Sequence, residues 1–114
     1  MSTEGEFHIV TRHGPDRLII KLDGELDMVS CALLDEALAD MDLDGWGAIV
    51  LDLRGVSFLD STGLKAIFRV RGVVHGRGQK FAVTQGSAQV QRLLSLTGLD
   101  QHLDTIDTPD AVLA

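Results

Sequence analysis

The sequence predicts one α/β domain with helices packed on a mixed sheet, and three observations lead to that expectation. Short apolar runs alternate along the chain with longer stretches of helical period, the pattern of strands interleaved with helices. One run, Ala48-Ile49-Val50-Leu51-Asp52-Leu53, is almost continuously apolar, as expected of a central strand covered on one face and flanked on both edges. The chain has 114 residues, 45% of them apolar, which suffices for one buried core and leaves no room for a second domain. With four Phe, one Trp and no Tyr, that core must be mainly Leu, Val, Ile and Ala.

The elements follow in order. Phe7 to Thr11 and Arg17 to Leu22 read as strands joined at a Gly14-Pro15-Asp16 turn, with Leu18, Ile20 and Leu22 alternating onto one face. Asp27 or Ser30 can cap a helix whose Val29, Leu33, Leu34, Ala37, Leu38 and Met41 form a stripe expected to face the sheet, and Gly45 and Gly47 lie beyond its end. After the central strand, the segment Arg54 to Leu64 leads into a helix carrying Leu64, Ile67, Phe68 and Val74. Lys65 and Arg69 sit four apart on its expected outer face, and Gly76 and Gly78 end it. Gln79 to Thr84 reads as another strand. Ser87 then caps a helix through Val90, Leu93 and Leu94, Gly98 stops it, and Leu103 to Ile106 can form a short last strand.

Charge and composition narrow the classes of function. A net charge of −7 disfavours general nucleic-acid binding, which needs a surplus of Lys and Arg against phosphate. The charge is unevenly spread. Residues 22–53 hold nine acids and no Lys or Arg, whereas residues 54–92 hold seven bases against the single acid Asp60. Two readings stay open: solvated helix faces that attract each other, or a charged docking surface that orients a partner. The lone Cys31 cannot form an internal disulfide, and no basic start followed by an apolar run opens the sequence, so a reducing cytoplasm is the expected compartment. No apolar stretch approaches the roughly 20 residues that cross a bilayer.

Most chemical motifs are missing. There is neither a G-x-x-x-x-G-K-S/T phosphate loop nor a G-x-G-x-x-G fingerprint, so no nucleotide cofactor is expected. His8, His13, His75 and His102 lie far apart without paired Cys or acid at ligand spacing, and no metal site is expected. Asp60-Ser61-Thr62-Gly63 has one residue too many for the D-S/T-G signature of aspartic proteases and no second copy. Ser61 has no base near it in sequence and no G-x-S-x-G elbow, so an enzyme is not expected. Ser61 does stand at an expected helix start, where unpaired backbone N–H groups and the helix dipole would favour a phosphate. A purely structural role competes with that reading, since Asp60 or Ser61 as an N-cap contributes about 1 kcal/mol.

Wider wording bears on the choice. Gly24-Glu25-Leu26-Asp27, Ile49-Val50-Leu51-Asp52-Leu53 and Phe58-Leu59-Asp60-Ser61-Thr62-Gly63-Leu64 occur in order at short spacings, and Val90 to Leu99 supplies a last helix with its glycine stop. Over nearly the whole chain this resembles the STAS family, and within it the bacterial anti-sigma factor antagonists. The resemblance implies an α/β fold with a mixed sheet of four to five strands and helices mainly on one side. It implies that Ser61 is phosphorylated by an anti-sigma factor with serine kinase activity, that the unphosphorylated chain captures that factor and frees a sigma factor, and that a phosphatase acts on phospho-Ser61. Gly24, Glu25 and Asp27 are then expected to join Asp60, Ser61, Thr62 and Gly63 in binding the partner. Thr62 departs from the second serine of many relatives.

Two rivals follow from the same pattern. A response-regulator receiver would use Asp52 as phosphoacceptor, but it needs an acidic pair after its first strand, where this chain has only His13 and Gly14. STAS domains also serve in stress-signalling assemblies and lipid-transport systems, and pull-down of a membrane ATPase in place of a kinase-type anti-sigma factor would favour the latter.

Overall fold

A computed structural model describes residues 6–113. Strand β1 (His8–Gly14) and strand β2 (Arg17–Leu26) form an antiparallel hairpin. Helix α1 (Met28–Asp40), strand β3 (Ala48–Leu59), helix α2 (Ser61–Gly76), strand β4 (Lys80–Thr84), helix α3 (Ala88–Leu96), a 3₁₀ turn (Leu99–His102) and strand β5 (Thr105–Ile106) follow. The sheet order is β1-β2-β3-β4-β5, with every pair after the hairpin parallel. Three successive crossovers therefore step in the same direction. A shared right-handed sense then places α1, α2 and α3 on one side of the sheet. Cys31 and Leu34 of α1, Ile67 and Val70 of α2, and Val90 and Leu94 of α3 all join one core with Leu18, Ile20, Leu22, Ile49, Leu51 and Leu53.

The expected architecture is present, and its boundaries differ in instructive ways. The first strand begins at His8 and runs to Gly14, because the hairpin closes through two residues, Pro15 and the left-handed Asp16 (φ 53°). The segment Gly24-Glu25-Leu26, beyond the expected strand end at Leu22, is the end of β2. Arg54 to Leu59, expected as a connection, is the second half of β3. Two register shifts explain why alternation did not reveal it: opposite Lys21/Asp23 and again opposite Gly24/Glu25, β3 carries one extra residue. Each bulge breaks the period of two on which strand recognition depends. Strand β4 begins one residue late, at Lys80, since Gln79 turns inward to donate its Nε2 to the carbonyls of Leu43 and Trp46. The last strand keeps only Thr105 and Ile106.

Two further expectations are corrected. Val29 and Leu33 do not face the sheet: they are 71% and 47% exposed, while Leu34 is buried and Leu38 and Met41 pack at the edge of the core. Strand β3 is covered on both faces from Ala48 to Leu53. The side without helices holds a small cluster of Ile19, Val50 and Ala82, against which Ile106 and Leu113 pack. The covering segment, 109–113, is anchored by buried Arg17, whose Nη1 donates to the carbonyls of Pro109 (2.9 Å) and Ala111 (2.7 Å), and by an Arg12–Asp110 ion pair (2.9 Å).

Candidate functional site

The ends of β2 and β3 lie side by side, with Glu25 paired to Phe58 and Leu26 to Leu59. Each strand is followed at once by an aspartate and a helix. Asp27 is the N-cap of α1 and Asp60 the N-cap of α2, so both helices start from the same edge, at the C-terminal ends of parallel strands. That edge is where open α/β sheets present their sites. The residues predicted from sequence, Gly24, Glu25, Asp27, Asp60, Ser61, Thr62 and Gly63, come together there.

Asp60, not Ser61, does the capping: its Oδ1 accepts from the Gly63 N–H at 2.9 Å. Ser61 is therefore the first residue of α2, exposed, and its hydroxyl makes no hydrogen bond among the described residues. Thr62 is half-buried, and its carbonyl accepts from the buried Cys31 Sγ at 3.5 Å, which ties the first turn of α2 to α1. Of the two neighbouring hydroxyl residues, the serine is thus the more accessible one. Gly63 is buried, and a Cβ there would lie 2.5 Å from the Leu26 carbonyl oxygen and against Leu59 Cδ1. Its role is to let α2 start directly on the ends of β2 and β3. Gly24 (φ 109°) adopts a backbone that L side chains rarely take, and a Cβ there would collide with the Glu6 carbonyl.

Asp27 is more heavily engaged than Asp60. Its Oδ1 accepts from the N–H groups of Val29 and Ser30, both at 3.0 Å, while Ser30 Oγ accepts from the Asp27 N–H at 2.8 Å and donates to the Glu25 carbonyl at 2.6 Å. This capping box fixes how β2 passes into α1. The Ser30 N–H above all holds the Asp27 carboxyl below the ordinary carboxylate range, opposed by partial desolvation. Glu25, by contrast, is exposed and makes no ion pair among the described residues.

Asp52 and Thr84 do structural work that sequence reading missed. At the first bulge of β3, the N–H groups of Leu53 and Arg54 lie where the β2 register shifts and beyond the last β4 pair, Leu51–Val83. Thr84 Oγ1 accepts from Leu53 N–H at 2.8 Å, and Asp52 Oδ1 accepts from Arg54 N–H at 3.1 Å, from Arg54 Nε at 3.0 Å and from Thr84 Oγ1 at 3.0 Å. Asp52 is 1% exposed. Although burial opposes it, the bonds from Arg54 and Thr84 hold its carboxyl below the ordinary range. With its oxygens already engaged, Asp52 does not fit the receiver phosphoacceptor. The only advance signal was an acid inside an otherwise apolar strand.

Three ion pairs join the acidic and basic segments: Arg54–Asp52, Arg69–Asp35 at 3.0 Å, and Arg77–Asp44. Only Arg69–Asp35 links two helix faces, α2 to α1, and the three pairs together engage a minority of the acids. A cavity of about 550 Å³ lies at the edge opposite Ser61, between Arg17, Lys80 and Leu113. No group of three or more His, Cys, Asp or Glu among the described residues is placed to hold a metal, and no described helix is long and apolar enough to cross a membrane.

Known proteins resemble this chain in sequence and fold. Anti-sigma-F factor antagonist RsfB of Mycobacterium tuberculosis is 34% identical over 90 residues, covering 79% of this chain and 73% of the relative. The anti-sigma-B factor antagonist of Staphylococcus aureus is 32% identical over 80 residues, covering 70% of this chain and 74% of the relative. The crystal structure of an anti-sigma factor antagonist from Mycobacterium paratuberculosis superposes with a TM-score of 0.83 at 28% identity, covering 96% of this chain and 93% of that one. The STAS domain model matches residues 8–112, a span that takes in every strand and helix described above, and the chain belongs to the STAS domain family.

Proposed function

We propose that this chain is an anti-sigma factor antagonist that captures a kinase-type anti-sigma factor at the Ser61 edge, so that a sigma factor is released, and that phosphorylation of Ser61 ends the capture. The observation that carries this reading is the division of labour at the start of α2: Asp60 caps the helix and leaves at its first position an exposed serine whose hydroxyl is unbonded among the described residues. The names borne by the relatives at 34% and 32% identity support it. A phosphatase acting on phospho-Ser61 would restore capture.

The physics of the switch is local. A phosphate adds roughly −1.5 to −2 charge to the centre of the contact, and a docked partner must desolvate it. In the free protein the same group sits at a helix N-terminus, where an anion is favoured by roughly 0.3–1 kcal/mol, offset in part by the Asp60 carboxylate. Binding is therefore far more sensitive to the modification than folding is. On this reading the chain acts by binding, as the names borne by its relatives support.

Capture of the purified anti-sigma factor from the source organism tests the reading. Ser61→Ala is expected to bind but to accept no phosphate, Ser61→Asp to bind weakly with near-native melting, and Thr62→Ala to be phosphorylated as the unmodified chain is. Phosphate located by mass spectrometry on Thr62 or elsewhere, and not on Ser61, would overturn the assignment.

A further inference from the structure

The outer face of α1 is apolar where it begins and acidic where it ends. Met28 is 72%, Val29 71% and Leu33 47% exposed. Val29 and Leu33 are four apart, so their side chains adjoin along the helix. Glu36 and Asp40 continue the same stripe, are exposed, and make no ion pair among the described residues; Asp35 beside them is held by Arg69. Helix α1 contains no Lys or Arg. Its inner face is already committed to the core through Cys31 and Leu34. A helix with apolar residues on both faces is a helix meant to be buried on both, and a cluster of exposed apolar side chains marks an interaction surface.

Resting on the reading of the Ser61 edge, we propose that Met28, Val29 and Leu33 are the apolar anchor of the anti-sigma factor interface. The partner then presents an apolar seat bordered by Lys or Arg facing Glu36 and Asp40. Continuity favours this occupant: Met28 directly follows the cap Asp27, and the Cys31–Thr62 contact fixes α1 against the turn that carries Ser61. Charge does too. A second copy joined by a twofold axis would set this acidic face against itself, with Glu36 and Asp40 desolvated opposite like charge or apolar side chains. An anionic lipid surface would be repelled for the same reason. A basic-rimmed partner instead gains steering from the acids and affinity from the anchor.

The test is surface plasmon resonance with the purified anti-sigma factor and unphosphorylated variants. Alanine at positions 28, 29 and 33 together is expected to weaken capture by about tenfold or more, mainly through faster dissociation, with unchanged melting because the side chains are exposed. Leu96→Ala, which removes a 77% exposed leucine from α3, is the control and is expected to bind like the unmodified chain. Glu36→Lys with Asp40→Lys is expected to slow association and flatten its salt dependence. Native affinity in the triple-alanine variant, alongside lost capture in Ser61→Asp, would overturn the α1 proposal and leave the Ser61 reading standing. An unmodified chain that captures no anti-sigma factor would overturn both. A concentration-dependent dimer abolished by the triple-alanine change would assign the face to a second copy and overturn it as well.

Discussion

Asp27 and Asp60 occupy equivalent places, yet their side chains carry different loads, and a substitution at either must be read accordingly. Asp60 accepts one backbone bond, whereas Asp27 accepts two and sits in a reciprocal box with Ser30. Asp27→Ala removes a helix cap worth about 1 kcal/mol, so its melting temperature is expected to fall by roughly 4–8 °C; weaker capture by that variant alone would not distinguish contact from capping. Asp27→Ser keeps a capping oxygen and drops the charge, which makes it the informative variant for binding. The pH dependence has a definite sign. Because the folded-state pKa of Asp27 is lowered from the ordinary 3.8, its contribution is present above that value and is lost as pH falls through the lowered one. Asp27→Asn is therefore expected to melt lower than the unmodified protein at pH 7 and to converge with it in strong acid. Parallel melting curves at pH 7 and pH 2 check this.

Strand β3 is the element that carries the site, and it was the least legible. Its first half announced itself by unbroken apolar residues. Its second half mixes Arg54, Ser57 and Phe58 into a segment interrupted by two bulges, so neither period nor propensity identified it. Helix α1 hid its orientation for a different reason: with apolar residues on both faces, its spacing sets no phase, and only the packed structure shows Val29 and Leu33 pointing outward. Ser87 as a cap and Gly98 at φ 73° were readable because each acts through local backbone chemistry. The gathering of Gly24–Asp27 with Asp60–Gly63 was readable only in outline, since it depends on β2 and β3 ending in register. Thr84→Val tests how the bulge supports that register. It leaves Leu53 N–H without its acceptor and removes one donor from buried Asp52, a loss of roughly 1–3 kcal/mol. If the bulge aims the end of β3, capture is expected to weaken more in Thr84→Val than in a core variant of equal stability such as Val74→Ala. Equal capture in the two would confine Thr84 to stability.

Across the whole molecule the two ends of the parallel strands have separate tasks. The C-terminal ends present Ser61 and both helix starts, while the N-terminal ends hold the covering segment 109–113, which nothing in the sequence announced. Its anchors explain why: Arg17 grips backbone carbonyls, which any sequence would supply, and Leu113 meets a cluster of only three residues, Ile19, Val50 and Ala82. The anchors are unequal. The Arg12–Asp110 pair has both side chains about half exposed, so solvent screens most of its attraction. Arg17 is 7% exposed and bonds the carbonyls of Pro15, Pro109 and Ala111, so Arg17→Met is expected to cost roughly 1–3 kcal/mol by leaving those acceptors unmatched and loosening the segment. Arg12→Ala is expected to melt within a few degrees of the unmodified protein, whereas Arg17→Met melts distinctly lower and becomes susceptible to limited proteolysis between Thr108 and Val112. Because the segment lies on the face without helices and at the edge opposite Ser61, capture by the folded Arg17→Met variant is expected to remain native below its melting transition. A loss of capture there without loss of fold would show that the two ends of the sheet are coupled, and that the covering segment takes part in recognition as well as in stability.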